Sequence, residues 1–380
     1  MAVTLFTDEA KGVAVNVSVL AQPWFQVTGP TSAGHGSPGI GAADGKSPSF
    51  DFFVRRVRLM AYGSVTKELS YFIETDQPNW GKDGNFTTSM FIQDAFLTYA
   101  FAPEFKIDAG MMLVPLSHHT IEGAVGLNAL DYHAELIRFP AGKIFRDTGI
   151  QFRGLLLNNL IHYRLGIFEG VRQAAVPAPA MPPPVPPPPL NDNGLPRFAA
   201  QVRVNILGDE SDFFLKGIYF TPQPLLSVGL GADLQTKAVR KLDGNPGTYS
   251  ALSVDVFLDY PFGEENELVA KANFFNYGEG ASGVTGSTAL PTGGLAFYAE
   301  AGFRHAWLEP LVYVEYLKAK DDALTILSPH VGANFWAQKH TFNVKADLGY
   351  RSTQRPAVVP ATGSVTQKDL LATMQAQVFF

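Results

Sequence analysis

Apolar and polar residues alternate with period two along almost the whole chain, in runs separated by Gly-, Pro-, Asn- and Asp-rich breaks. In 197–207, Phe198, Ala200, Val202, Val204 and Ile206 fall on one side and Gln201, Arg203 and Asn205 on the other. In 225–237, Leu226, Val228, Leu230, Ala232 and Leu234 oppose Ser227, Gly229, Gly231, Asp233, Gln235 and Lys237. In 341–351, Phe342, Val344, Ala346, Leu348 and Tyr350 oppose Asn343, Lys345, Asp347, Gly349 and Arg351. The pattern predicts sixteen strands, near 13–27, 50–63, 67–76, 90–101, 105–114, 149–157, 161–169, 197–207, 225–237, 249–260, 267–277, 295–304, 308–318, 329–337, 341–351 and 370–380. Segment 213–220 (FFLKGIYF) has strand-like composition but is assigned to a connection, because counting it would break the parity of the termini.

The connections alternate in length. Long ones fall near 28–49, 77–89, 115–148, 170–196, 238–248, 278–294, 319–328 and 352–369; the others are short turns, with 208–224 the exception. Such sorting is expected of an antiparallel barrel that crosses a membrane with tight turns on one side and long loops on the other. The final residues agree. Leu370, Ala372, Met374, Ala376, Val378 and Phe380 share an apolar face, opposite Thr373, Gln375 and Gln377. A strand greasy outside, polar inside and ending on Phe is how bacterial outer-membrane barrels end. The reading is an all-β transmembrane barrel in one domain over 1–380, in the outer membrane, with both termini in the periplasm. Lipid bilayer and lipopolysaccharide would surround its wall.

Composition narrows the alternatives. Charged residues are 17% of the chain, below the ~25% of soluble domains. No apolar run reaches the ~20 residues of a spanning helix, and only a closed barrel otherwise satisfies every backbone group in lipid. The chain has no Cys, which excludes disulfides, thiolate metal sites and Cys nucleophiles. A net charge of −6 leaves no basic footprint for nucleic acid. Met1-Ala-Val-Thr shows neither a charged n-region nor an apolar h-region, as expected of a mature exported chain.

One strand breaks the alternation. Phe53-Val54-Arg55-Arg56-Val57-Arg58-Leu59 places Arg56 and Arg58 on the polar face but Arg55 with Val57 and Leu59. An Arg facing lipid at mid-depth costs roughly 2–4 kcal/mol, so Arg55 is expected at a rim or against another subunit.

The stretch Arg55-Arg56-Val57-Arg58-Leu59-Met60-Ala61-Tyr62-Gly63, followed by Tyr71-Phe72-Ile73-Glu74-Thr75-Asp76, resembles the phosphate-selective porins (the O and P porins). Asp94-Ala95-Phe96-Leu97-Thr98-Tyr99, Ile107-Asp108-Ala109-Gly110-Met111-Met112-Leu113-Val114-Pro115, Thr148-Gly149-Ile150-Gln151 and Gly166-Ile167-Phe168 extend the resemblance over about 50–170. It implies a sixteen-stranded, usually trimeric porin whose third loop folds inward to narrow the pore. Phosphate selectivity does not follow automatically, because it needs lumenal bases unopposed by acids. The inward faces carry Arg56, Arg58, Lys106, Arg153, Arg164, Arg203, Lys237, Lys271, Arg304, Lys345 and Arg351. Against them stand Glu74, Asp76, Asp94, Asp108, Asp233, Asp255, Asp259, Glu300, Glu315 and Asp347. The two sets nearly cancel, and charge rings set selectivity.

Candidate chemistry lies in two loops. Loop 115–148 holds Ser117, His118, His119, Glu122, Asp131, His133, Glu135, Arg138, Lys143, Arg146 and Asp147; its length and polarity suit a constriction that sorts solutes. His118, His119, Glu122 and His133 offer metal-ligand types, but the spacing matches no established site. Loop 170–196 contains a proline run over 177–189 that holds polyproline II and cannot join a ladder. No Gly-x-Ser-x-Gly or His-Glu-x-x-His stands in the chain, so nothing points to an enzyme, a catalytic residue, a metal or a cofactor. The expected function is a water-filled, weakly selective channel for ions and small hydrophilic solutes, wide enough to be a pore rather than a packed core. An anion- or phosphate-selective or other substrate-specific channel is the main alternative; a barrel enzyme and an adhesin or scaffold are further ones.

Overall fold

The computed structural model describes residues 3–29, 48–133, 136–137, 145–172, 189–241, 245–278, 293–320, 324–356 and 364–380. The strands are β1 (Val3–Asp8), β2 (Val13–Thr28), β3 (Ser49–Ser64), β4 (Leu69–Trp80), β5 (Phe91–Ala102), β6 (Phe105–Leu113), β7 (Arg146–Leu156), β8 (Ile161–Phe168) and β9 (Arg197–Leu207). They continue as β10 (Leu225–Arg240), β11 (Pro246–Phe262), β12 (Asn266–Tyr277), β13 (Gly294–His305), β14 (Leu308–Ala319), β15 (Thr325–Gln338), β16 (Phe342–Pro356) and β17 (Ser364–Phe379). From β2 onward each strand pairs antiparallel with its sequence neighbours, and β17 pairs with β2, closing a barrel of sixteen strands.

The remaining strand, β1, was not foreseen. It pairs with Val13–Val17 of β2, while β17 pairs with the same strand between Leu20 and Thr28. β1 therefore prolongs the wall below the end of β17 and adds no new position around the barrel. The last residue closes the seam: Val19 N–H donates to the Phe380 carbonyl (2.7 Å) and Phe380 N–H to the Val19 carbonyl (3.1 Å).

The alternation sorts the side chains as the sequence pattern requires. Val202 (41% exposed), Leu230 (60%) and Met374 (51%) point outward, while Arg203, Asp233 and Gln375 are buried inside. Outward aromatics gather near the short turns, among them Tyr99, Phe101, Phe105, Trp307, Phe342 and Phe380, in the manner of an interfacial girdle. Among the described residues no helix is long and apolar enough to cross a membrane.

Arg55 departs from its expected place. Gln22 pairs with Arg56 but Pro23 with Val54, so β3 carries a bulge at Arg55 opposite Pro23. The extra residue resets the alternation, and Arg55 and Arg56 both turn inward to Asp131. Arg55 thus faces the lumen rather than lipid, level with the end of β4, where it also donates to Asn79 (3.2 Å). Lys237 also moves: it sits at positive φ within the Gln235–Val239 irregularity of β10 and is exposed, not lumenal.

Segment 208–224 is a connection, as expected, but it does not stay outside. It folds back between the walls, burying Leu215 and Ile218 completely. Phe213 stacks on Phe96 (4.4 Å) and Phe214 packs on Phe72 (5.0 Å).

Candidate functional site

Among the described residues, two chain segments rather than one cross the interior of the barrel. The first follows β6 and leads to β7, through Val114–His133. Its path along the wall is set by the absence of a side chain at Gly231, where a Cβ would lie 1.7 Å from the Leu116 carbonyl oxygen. The second is 208–224. The two meet in parallel backbone pairing: Gly123 N–H donates to the Leu215 carbonyl (3.0 Å), Leu215 N–H to that of Ile121 (3.0 Å), and Gly217 N–H to that of Gly126 (2.8 Å).

The loop's polar groups are engaged with the wall. Glu122 receives both carboxylate contacts from Lys271 (2.9 and 3.0 Å) and one each from the rings of His118 and His119 (2.8 Å). Lys345 donates to the carbonyls of Leu127, Asn128 and Ala129 (2.5, 3.2 and 3.0 Å). Asn128 donates to Glu309 (2.9 Å), and Asn334 donates to the Asn128 carbonyl (2.9 Å). Asp131 binds Arg55 (2.8 Å) and Arg56, whose guanidinium also takes Gln22 (3.0 Å). His133 lies between Glu315 (2.5 Å) and Glu300 (3.3 Å).

These contacts fix the protonation states of the loop. Burial would raise the Glu122 carboxyl, but Lys271 and the two imidazoles hold it well below the usual range. Burial likewise opposes ionisation of Asp131, and Arg55 and Arg56 overcome it, pulling that carboxyl down. Burial pushes His119 down to about 4; its ring is neutral, with Nε2 accepting from the His133 backbone N–H (2.9 Å). Burial also disfavours charge on His133, but hydrogen bonds to Glu300 and Glu315 raise it to about 9.

The wall residues form further pairs. Arg58 meets Glu74 (2.7 Å) and Asp76 (3.1 Å), Asp94 meets Arg146 (3.0 Å), and Asp108 meets Arg153 (2.8 Å). Arg203 binds Asp255 and Glu210, Arg304 binds Glu267 (2.6 Å), and Asp233 binds Arg197. Among the described residues Arg164 has no carboxylate in ion-pair contact; it donates to the backbone carbonyls of Asp212 (3.0 Å) and Phe213 (2.7 Å) in the folded-back segment. Lys106 is half-buried near the short-turn rim.

Of the predicted loop residues, His118, His119, Glu122, Asp131 and His133 converge on this lumenal network. Glu135, Arg138 and Lys143 lie outside the described residues, as does the proline run up to position 188. Arg146 and Asp147 open strand β7 rather than belonging to the loop. Among the described residues no group of three or more His, Cys, Asp or Glu could hold a metal ion. The two segments narrow the interior. Arg58, Asp94, Asp108, Arg203, Lys271 and Gln375 are all buried, although each faces inward. The sequence reading missed Arg197, Glu210, Glu267 and Glu309, and above all the inward course of 208–224. The apolar run Phe213–Phe220 in a connection on the short-turn side was the available signal.

No protein-family model matches the chain, and no curated protein sequence matches it. Solved structures do. The outer membrane channel DcaP of Acinetobacter baumannii aligns over 99% of both chains with a TM-score of 0.56 at 12% identity. OmpF of Salmonella typhi, solved with daunomycin, aligns over 98% of this chain and 100% of its own, with a TM-score of 0.57 at 12% identity. The fold is that of outer-membrane channels. OprB of Pseudomonas putida shares it too, over 96% of this chain and 94% of its own, with a TM-score of 0.55 at 10% identity.

Proposed function

We propose that the chain is an outer-membrane porin that passes ions and small hydrophilic solutes passively and with weak selectivity. One observation carries the reading: a closed barrel, apolar outside, encloses a charged interior crossed by a loop that is pinned to the opposite wall. A soluble barrel would have no use for an outer belt of Leu, Val and Phe, and a purely structural barrel none for so many inward charges. The short turns and both termini are assigned to the periplasmic side. The inward loop and 208–224 make the path narrow, so conductance should be low for a barrel of this size.

Weak selectivity is supported by pairing rather than by counting. Arg58, Arg153, Arg203 and Lys271 each face a carboxylate within ion-pair distance. Such bases present little net field to a passing anion. The phosphate selectivity of the porins that 50–170 resembles is therefore not carried over. Their trimeric state is proposed here on that resemblance alone, since Arg55 finds its partner within the subunit; scattering in mild detergent decides it.

Planar-bilayer recording tests the main reading. It predicts a steady ohmic conductance and a small reversal potential in a salt gradient, with no block by low phosphate. Tight phosphate block would instead establish the substrate-specific alternative.

A further inference from the structure

Among the described residues, Glu210 is the carboxylate of segment 208–224 that reaches the inward loop. Its Oε1 lies 2.8 Å from His118 Nε2, while His118 Nδ1 lies 2.8 Å from Glu122 Oε1. A carboxylate only accepts. Both ring nitrogens must therefore donate, and the bridge exists only with His118 as an imidazolium. A neutral ring would aim a lone pair at one of the two carboxylates.

We propose that segment 208–224 is a displaceable inner gate of the channel, held in the lumen by the His118 imidazolium and released when that ring loses its proton. The inference rests on the channel reading, and gives it a regulation. The segment's other ties run to the wall: Arg203 pairs with Glu210 (3.2 Å), and Leu215 and Ile218 are fully buried. Arg164 grips only backbone carbonyls, Tyr219 N–H donates to Asp259 (2.7 Å), and the His340 ring meets the Ile218 carbonyl (3.0 Å). Among the described residues, and apart from the parallel backbone pairing, His118 is the charged link between the two lumenal segments.

The surroundings of His118 define the sign. Glu122 and Glu210 face the ring nitrogens; Phe257 stacks on its face at 4.4 Å. Asp255 accepts the His118 backbone N–H (3.1 Å) and pairs with Arg203, which also reaches Glu210. Lys271 neutralises Glu122 from the wall, and Ser227 and Tyr219 hydroxyls donate to Glu210. Burial disfavours charge on the ring, but the two carboxylates outweigh it and hold His118 above the ordinary imidazole range. A raised histidine stabilises the closed state fully below the ordinary value and loses that contribution as pH rises through the folded one. The gate is therefore closed below the ordinary imidazole range and opens as pH rises through the raised value of the ring.

The absence of native Cys permits a direct test on the full chain. Phe214→Cys places one thiol on the segment, and its labelling by a membrane-impermeant reagent reads displacement whether or not current flows. Rates are taken relative to the denatured chain at the same pH, which removes the titration of the thiol itself. From about pH 6 to about pH 10, spanning the imidazole range, relative labelling should rise several-fold; with His118→Gln added it should already be high at pH 6. Gly123→Cys joined to Phe214→Cys gives the locked form, since a Cβ at 123 lies 3.3 Å from that of Phe214. Oxidised, it should hold conductance at the low level at every pH; reduction should restore the rise. Relative labelling that is flat with pH, or an oxidised form whose current still rises, overturns the gate. Absence of current from wild type and reduced variant alike, with labelling still rising, would overturn the channel reading and leave the latch standing.

Discussion

Lys271 shows what individual lumenal residues do here. Its ammonium is buried between Glu122 of the loop and Glu300 of the wall, at 2.9 and 3.5 Å. Removing one partner of such a pair leaves buried charge behind and costs about 3–5 kcal/mol. Lys271→Met should accordingly lower the temperature at which the folded form converts to the unfolded band on electrophoresis, and an unchanged temperature would show the loop is not held by this pair. Arg58 has a different consequence. Its loss leaves Glu74 and Asp76 facing the lumen without their base. Arg58→Ala should move the reversal potential toward cations, and less so at 1 M salt, where screening shortens the reach of charges to ~3 Å. A shift that salt leaves untouched would speak for a rearranged loop rather than a field.

At the scale of elements, the strands were legible and the inward segments only half so. Period two reads directly as one face to lipid and one to the interior, so Arg203, Asp233 and Lys345 could be placed by register alone. Arg55 could not, because a bulge adds a residue without changing composition; Pro23 on the neighbouring strand was its only sign, since Pro in a sheet is confined to edges and bulges. Loop polarity identified His118, Glu122, Asp131 and His133 but not their partners, which come from strands far along the chain. Segment 208–224 was hidden for the same reason: a stretch that is apolar without a clean alternation does not declare which surface it will cover. The loop's course makes its own prediction. Gly231→Val would drive a side chain into the Leu116 carbonyl, displacing the start of the loop, and the single-channel conductance should change while the barrel still forms. Equal conductance would mean the loop can follow the wall elsewhere.

Across the whole molecule, the loop is tied down by groups that fail at opposite ends of the pH scale. The Asp131 carboxyl is lowered by Arg55 and Arg56, so its contribution is present above the ordinary carboxylate range and lost only as pH falls below it. The His133 ring is raised to about 9 by its hydrogen bonds to Glu300 and Glu315, so its contribution is lost as pH climbs through that value. Thermal stability of the folded band should therefore hold between these limits and decline beyond each; a maximum outside them would contradict the assignment of charge. Central to all of this is that the paired interior is a path for solutes. Current through the purified full chain in a planar bilayer, with salt at unequal concentration on the two sides, tests that most directly. The account predicts a low, ohmic single-channel conductance with a small reversal potential, whereas a membrane that stays silent at every pH, or a potential near the limit for one ion, would contradict it.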